Sequence, residues 1–183
     1  MSRILISSLV GAIILFVFQA ASWMALGIHD GSFKYAPGQD AVLTAMAENL
    51  EEGMYYLPYF DETNMTQEEI HAAQQANAGK PWAILHYHGS MEMSMAGNMG
   101  YGFLIDFFVC LFISLVLVNI NVTGFALRMF FVMALAALVA LGGPLYQANW
   151  FKTPGHFLTG ELIDILIGYF LAGLWMSWWT GRK

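Results

Sequence analysis

One cysteine, Cys110, is all the chain contains, so neither an internal disulfide framework nor a CxxC metal or redox site can be built from it. Charge is almost as scarce, with seven Lys and Arg against thirteen Asp and Glu, for a net charge of −6. Nucleic-acid binding needs a basic face, and seven dispersed cations cannot make one. A catalytic set is lacking as well. Ser90 stands in His88-Gly89-Ser90-Met91-Glu92, which has no second glycine of a nucleophile elbow and no following soluble helix, so no enzymatic role is expected. No internal repeat of the transporter type is visible. What the chain has in abundance is apolar side chains, 58% of the total, and a mean hydropathy of +0.56. That composition points to lipid.

The charges gather between Asp30 and Glu92, and long uncharged runs lie outside that stretch. Ile4 to Leu26 is one such run, long enough at about 1.5 Å per residue to cross a hydrocarbon core of roughly 30 Å. A signal peptide is the rival reading, because Arg3 precedes the run and Ala20, Ala21 and Ser22 follow it. Gly102 to Ile120, Phe125 to Leu145 and Phe157 to Trp179 supply three more spans. The turn between the second and third is so short that they are expected to form an antiparallel hairpin. Arg3, Arg128, Arg182 and Lys183 all fall on one side of this layout. Cytoplasmic segments carry the excess of Lys and Arg, so both termini are expected in the cytoplasm and residues 28–100 in the periplasm of a bacterial inner membrane. Trp23, Trp150, Trp178 and Trp179 fall near span ends, as interfacial aromatic belts require. The expected fold class is therefore membrane all-α, with four transmembrane helices and a small α+β extracytoplasmic domain inserted between the first two. Its parts are 1–27 as the first span, 28–100 as the cap with a Met-rich stalk, and 101–183 as the remaining spans.

Within the cap, Pro37-Gly38 reads as a turn. Asp40 is then expected to cap an amphipathic helix through Leu50 that carries Val42, Leu43, Met46 and Leu50 at helical spacing. Met54 to Phe60 reads as an edge strand limited by Pro58. Thr66 and Glu69 have capping-box spacing and open a polar helix that ends before Gly79. Trp82 to His88 reads as a second strand, able to pair with the first across that helix. The resulting core is thin.

Two constellations could carry chemistry. His86, His88, Met91, Met93 and Met95 cluster in sequence, and imidazole and thioether groups suit the soft ion Cu(I). Such Met-rich tracts look like those of periplasmic copper carriers. The plainer reading is packing, since Met91, Met95 and Met99 recur at helical spacing and methionine fills irregular gaps. The second constellation is Glu161 and Asp164 in the fourth span, with Asp106 in the second as a possible third carboxylate. A carboxylate near a bilayer centre costs about 2.5–3.5 kcal/mol, so such residues face protein or water and tend to have a role. Asp164 lies about 6 Å from the midpoint of its span at helical rise. A spacing of three puts Glu161 and Asp164 on one face, and Gly160 and Gly168 beside it would let another backbone approach. The readings are a buried polar contact, within the chain or with a partner, and a proton or cation path. Haem has little support, since no histidine lies within a span, and His29 and His156 at the outer ends read as interfacial rings.

Met1-Ser2-Arg3-Ile4-Leu5 leading to Trp23, Pro37-Gly38-Gln39-Asp40-Ala41-Val42, Tyr55-Tyr56-Leu57-Pro58 and Gly79-Lys80-Pro81-Trp82-Ala83 together resemble a group of small uncharacterised four-span bacterial inner-membrane proteins. The resemblance implies a four-span fold and brings no activity or site residues. The leading expectation is a non-catalytic accessory or assembly subunit of a larger inner-membrane complex, such as a respiratory one, with the lipid bilayer and other membrane subunits as partners. Copper handling by the His/Met segment and proton or ion conduction by the intramembrane carboxylates are the alternatives.

Overall fold

The computed structural model describes residues 1–91, 94–120 and 122–182. Seven α-helices and two strands follow in the order α1 (Ser2–Met24), α2 (Gln39–Asn49), β1 (Gly53–Leu57), α3 (Gln67–Asn77), β2 (Ala83–Tyr87), α4 (Met95–Asn119), α5 (Phe125–Ala140), α6 (Tyr146–Phe151) and α7 (Gly155–Gly181). A π-helical turn, Leu141–Leu145, joins α5 to α6 and makes Phe125–Phe151 one continuous helical stretch. Among the described residues, four helices (α1, α4, the stretch from α5 to α6, and α7) are long and apolar enough to cross a membrane. The π turn holds Leu-Gly-Gly-Pro-Leu. Pro144 has no N–H to donate and its ring clashes with the preceding turn, so the backbone takes the wider path there.

The chain divides into two compact units, residues 1–34 with 94–183, and residues 35–93. In the first, α1 packs on α4 and on α7, and α5 packs on α7, so α1 and α7 form the centre and α4 and α5 flank it. The expected hairpin of the second and third spans exists as a connection, but its two helices pack on different partners rather than on each other. The reason lies in the small residues of the two central helices. Along α1, Ser7, Ser8, Gly11, Ala12, Leu15 and Ser22 are buried, a single stripe at helical spacing. A methyl group on Gly11 would lie 2.9 Å from the Met176 sulfur, and one on Gly173 would lie 2.8 Å from Val132. Small residues that let helices approach closely are the usual basis of packing in lipid. Ser7 and Ser114 share a hydrogen bond of 2.9 Å inside this seam. The outward faces carry Phe112, Phe130 and Leu138, all well exposed. That is the pattern of a multi-pass membrane protein.

In the second unit β1 and β2 pair antiparallel, with Gly53 opposite Tyr87 and Tyr56 opposite Ile84. The helix between them, α3, begins with the expected capping box. The Thr66 side chain accepts from the Glu69 amide and Glu69 accepts from the Thr66 amide. These hydrogen bonds, from the Thr66 backbone first and its hydroxyl second, hold the Glu69 carboxyl below its ordinary value of 4.5. Asp61 is likewise held below 3.8 by hydrogen bonds from Thr63 and Asn64. The other helix departs from expectation. α2 starts at Gln39 with Gly38 as its cap, and Asp40 lies in its first turn and makes no cap hydrogen bond. A carboxylate there still meets the positive end of the helix. None of α2 is buried, and Val42 and Leu43 are exposed. Ile70 alone is buried on α3.

Candidate functional site

At the C-terminal end of α1 the chain turns back on itself. The amides of Ala25 and Leu26 both donate to the Ala21 carbonyl, and Gly27 and Gly31 adopt positive φ of 67° and 80°. Glycine takes this conformation without the Cβ penalty other residues meet. The reversal carries His29 inward against α7. Its side chain is only 2% exposed, and its Nε2 lies 2.9 Å from Oδ2 of Asp164, whose side chain is 9% exposed. The Ser22 hydroxyl donates to the other oxygen, Oδ1. Asp164 is therefore held at both oxygens by groups from within the chain.

Gly160 makes this possible. It sits one turn before Asp164 on α7, and a methyl group there would come within 2.6 Å of His29 Cε1. The expected close approach at Gly160 and Gly168 is thus real, but side chains fill it. His29 lies on Gly160, while Leu15 and Phe18 lie on Gly168. Trp23 stacks on the His29 ring, with centroids 3.7 Å apart and planes within 8°. Phe157 packs edge-on against both Trp23 and Phe33, and Phe33 lies tilted against Trp23. Glu161, half-buried, stands three residues before Asp164 on α7, on the same face of that helix. His156, the other outer histidine, bonds the Asp30 carbonyl through Nε2 and is exposed.

The third carboxylate lies apart. Asp106 on α4 is 5% exposed and accepts a weak hydrogen bond of 3.4 Å from Gln19 on α1. Its Oδ2 is buried and has no partner. Gln19 and Ser22 are three positions apart on α1, roughly 4.5 Å at helical rise, so one face of α1 presents polar groups to both acids at successive levels. No direct bond links Asp106 to Asp164.

His86, His88, Met91 and Met95 are all exposed. His86 lies opposite Met54 in the strand pair, and His88 Nδ1 lies 3.0 Å from Glu52 Oε1 at the surface. The expected methionine stripe does not form as one helix face, because α4 begins at Met95 and Met91 precedes it. Met93 lies outside the described residues. Among the described residues, no three His, Cys, Asp or Glu side chains are grouped to hold a metal ion.

Sequence reasoning placed His29 at the interface and overlooked Ser22. The signals for them were present: glycines on both sides of His29 just past a span, and a glycine one turn before the intramembrane acid. The resulting cluster can hold a proton between an imidazole and a carboxylate. It is not a nucleophile and base, because the Ser22 hydroxyl bonds Asp164 and not His29. Among the described residues, the four long apolar helices fit a multi-pass membrane protein, and a buried acid–imidazole pair lies at one end of their bundle. No protein-family model, curated protein or solved structure matches the chain.

Proposed function

We propose that this chain is a non-enzymatic protein of the bacterial inner membrane that takes up and releases protons, or a small cation, at the cluster of His29, Glu161 and Asp164. The observation that carries this reading is the state of His29. Its Nε2 is committed to Asp164, and its Nδ1 is buried without a hydrogen-bond partner. A buried polar atom left unpaired costs about 1–3 kcal/mol, so it calls for a reason. A neutral imidazole that donates through Nε2 keeps a lone pair on Nδ1. A proton or cation arriving there is balanced by the Asp164 carboxylate on the far side of the ring, with Glu161 nearby.

An accessory subunit was the expectation while Asp164 lacked a partner in the chain. Ser22 and His29 now provide one, so that residue no longer argues for a missing subunit, and the weight shifts to proton handling.

The titratable groups nearest the pair are Glu161, three residues before Asp164 on α7, and Asp30 and His156 at the turn after α1, while Asp106 on α4 lies apart with Gln19. The full chain in liposomes, with an entrapped pH-sensitive dye, should dissipate an imposed pH gradient faster than empty liposomes. Asp164→Asn should abolish the excess rate, and Asp106→Asn should leave most of it. Equal rates for Asp164→Asn and the unmodified protein would sink the reading. A merely structural role predicts a lower melting temperature for Asp164→Asn with no excess rate in the unmodified protein.

A further inference from the structure

The opposite end of the helical unit holds a cleft of about 500 Å³ lined by Arg3, Arg128, Arg182, Thr123, Ser177 and Trp178 among others. Arg3 comes from the first turn of α1, Arg128 from the first turn of α5, and Arg182 follows α7. The Trp179 indole donates to the Arg3 carbonyl at 3.0 Å, so the start of α1 and the end of α7 are tied together here.

Arg128 is the anchor. Its Nη1 donates to the Leu117 carbonyl at 2.8 Å and to Thr180 Oγ1 at 3.2 Å, and its Nη2 donates to the Val122 carbonyl at 3.0 Å. These partners are neutral. Arg182 lies over Trp178, 4.3 Å from the ring centre, which leaves the N–H edge of its guanidinium free. Among the described residues no acidic side chain lines the cleft, and no Lys or Arg meets a carboxylate. Three guanidinium groups therefore share one cleft, and among the described residues no anion balances them. Two further donors face the same deficit. Gly124 caps α5 without a side-chain hydrogen bond, so the first-turn amides and the positive dipole end of that helix are open. Ser177 is 1% exposed, lines the cleft, and has an Oγ without a partner.

We propose that this cleft binds a phosphate group, supplied by the headgroup of an anionic phospholipid or by free phosphate. The guanidinium fork matches phosphate oxygens two at a time, which an ammonium does not. The volume lies within the range of about 300–1,000 Å³ usual for small ligands. Basic pockets between helices at the cytoplasmic face are where anionic headgroups are held. Arginines serving only to set topology would stand apart in water, whereas Arg128 is pinned by three acceptors.

The test uses the full chain in mild detergent, with native mass spectrometry of bound dioleoylphosphatidylglycerol, dioleoylphosphatidylcholine and inorganic phosphate. Phosphatidylglycerol should be retained over phosphatidylcholine, and the Arg3→Gln/Arg182→Gln double variant should lose about tenfold of that binding, as expected for lost charge-assisted hydrogen bonds. Arg128 is left intact because it also ties three elements together. Ser177→Ala, a milder change, should lose about threefold, which keeps the proposal testable if the double variant unfolds. If millimolar inorganic phosphate displaces the lipid, the source is soluble phosphate; if it does not, the source is the bilayer. Equal retention of the two lipids with no bound inorganic phosphate, or binding of phosphatidylglycerol and phosphate unchanged in both variants, overturns the proposal.

Discussion

Gly160 and Ser22 carry the His29–Asp164 contact, and they fail in different ways. Gly160→Ala puts a methyl group 2.6 Å from the His29 ring, and overpacking of this kind costs about 1–3 kcal/mol. Thermal unfolding in detergent should show that loss. The double variant Gly160→Ala/His29→Ala should show less than the sum of the two single losses, because the ring that clashes is gone. Ser22→Ala leaves Oδ1 of a buried carboxylate without its donor, a loss of about 1–3 kcal/mol. Ser114→Ala removes one member of a neutral hydroxyl pair and should cost only about 0.6 kcal/mol, the average for such bonds between membrane helices. If the two serines cost the same, Asp164 does not depend on Ser22 as the geometry says.

The helix α3 is the element whose stability responds most simply to pH. Its capping box favours the ionised Glu69, whose folded value lies below the ordinary 4.5. A depressed value means the contribution is fully present above 4.5 and fades as pH falls through the lower, folded value. The amides of the first turn, Gln67 to Glu69, should therefore be less protected below pH 4 than at pH 6, measured as exchange relative to an unstructured chain at the same pH. Thr66→Ala should remove that pH dependence along with the cap; a pH dependence unchanged in Thr66→Ala would count against the box as its source. Among the long helices, the stretch from Phe125 to Phe151 shows how one residue shapes an element. Pro144 cannot donate to the ladder, and the five-residue π turn falls around it.

For the molecule as a whole, an even number of apolar helices returns the chain to the side from which it started. The Arg3–Trp179 bond shows the two ends meeting. The charge pattern then predicts which side that is. Cys110 is buried, so the unmodified protein should resist thiol reagents and offers a silent background. With Lys80→Cys, a membrane-impermeant maleimide should label the protein in cells whose outer membrane has been opened. With Arg182→Cys, labelling should require lysis. The reverse pattern would invert the assigned orientation.

The four apolar helices, the capping box and the strand pair could be read from the chain because each rests on local rules: length of an uncharged run, a Thr and a Glu three apart, alternation between turns. The oddity of Asp164 was equally plain, because a carboxylate in an apolar run costs free energy wherever the rest of the chain goes. Its partners were not. Ser22 lies 142 positions away and His29 lies 135 away, and nothing local distinguishes a histidine past a span end that faces water from one folded back by two glycines. The same holds for the arginines: their shared side followed from counting, but their convergence on one cleft depended on α5 packing against α7 instead of α4. Helix pairing in lipid is decided by which small-residue faces fit, a property of two surfaces together that no single segment displays.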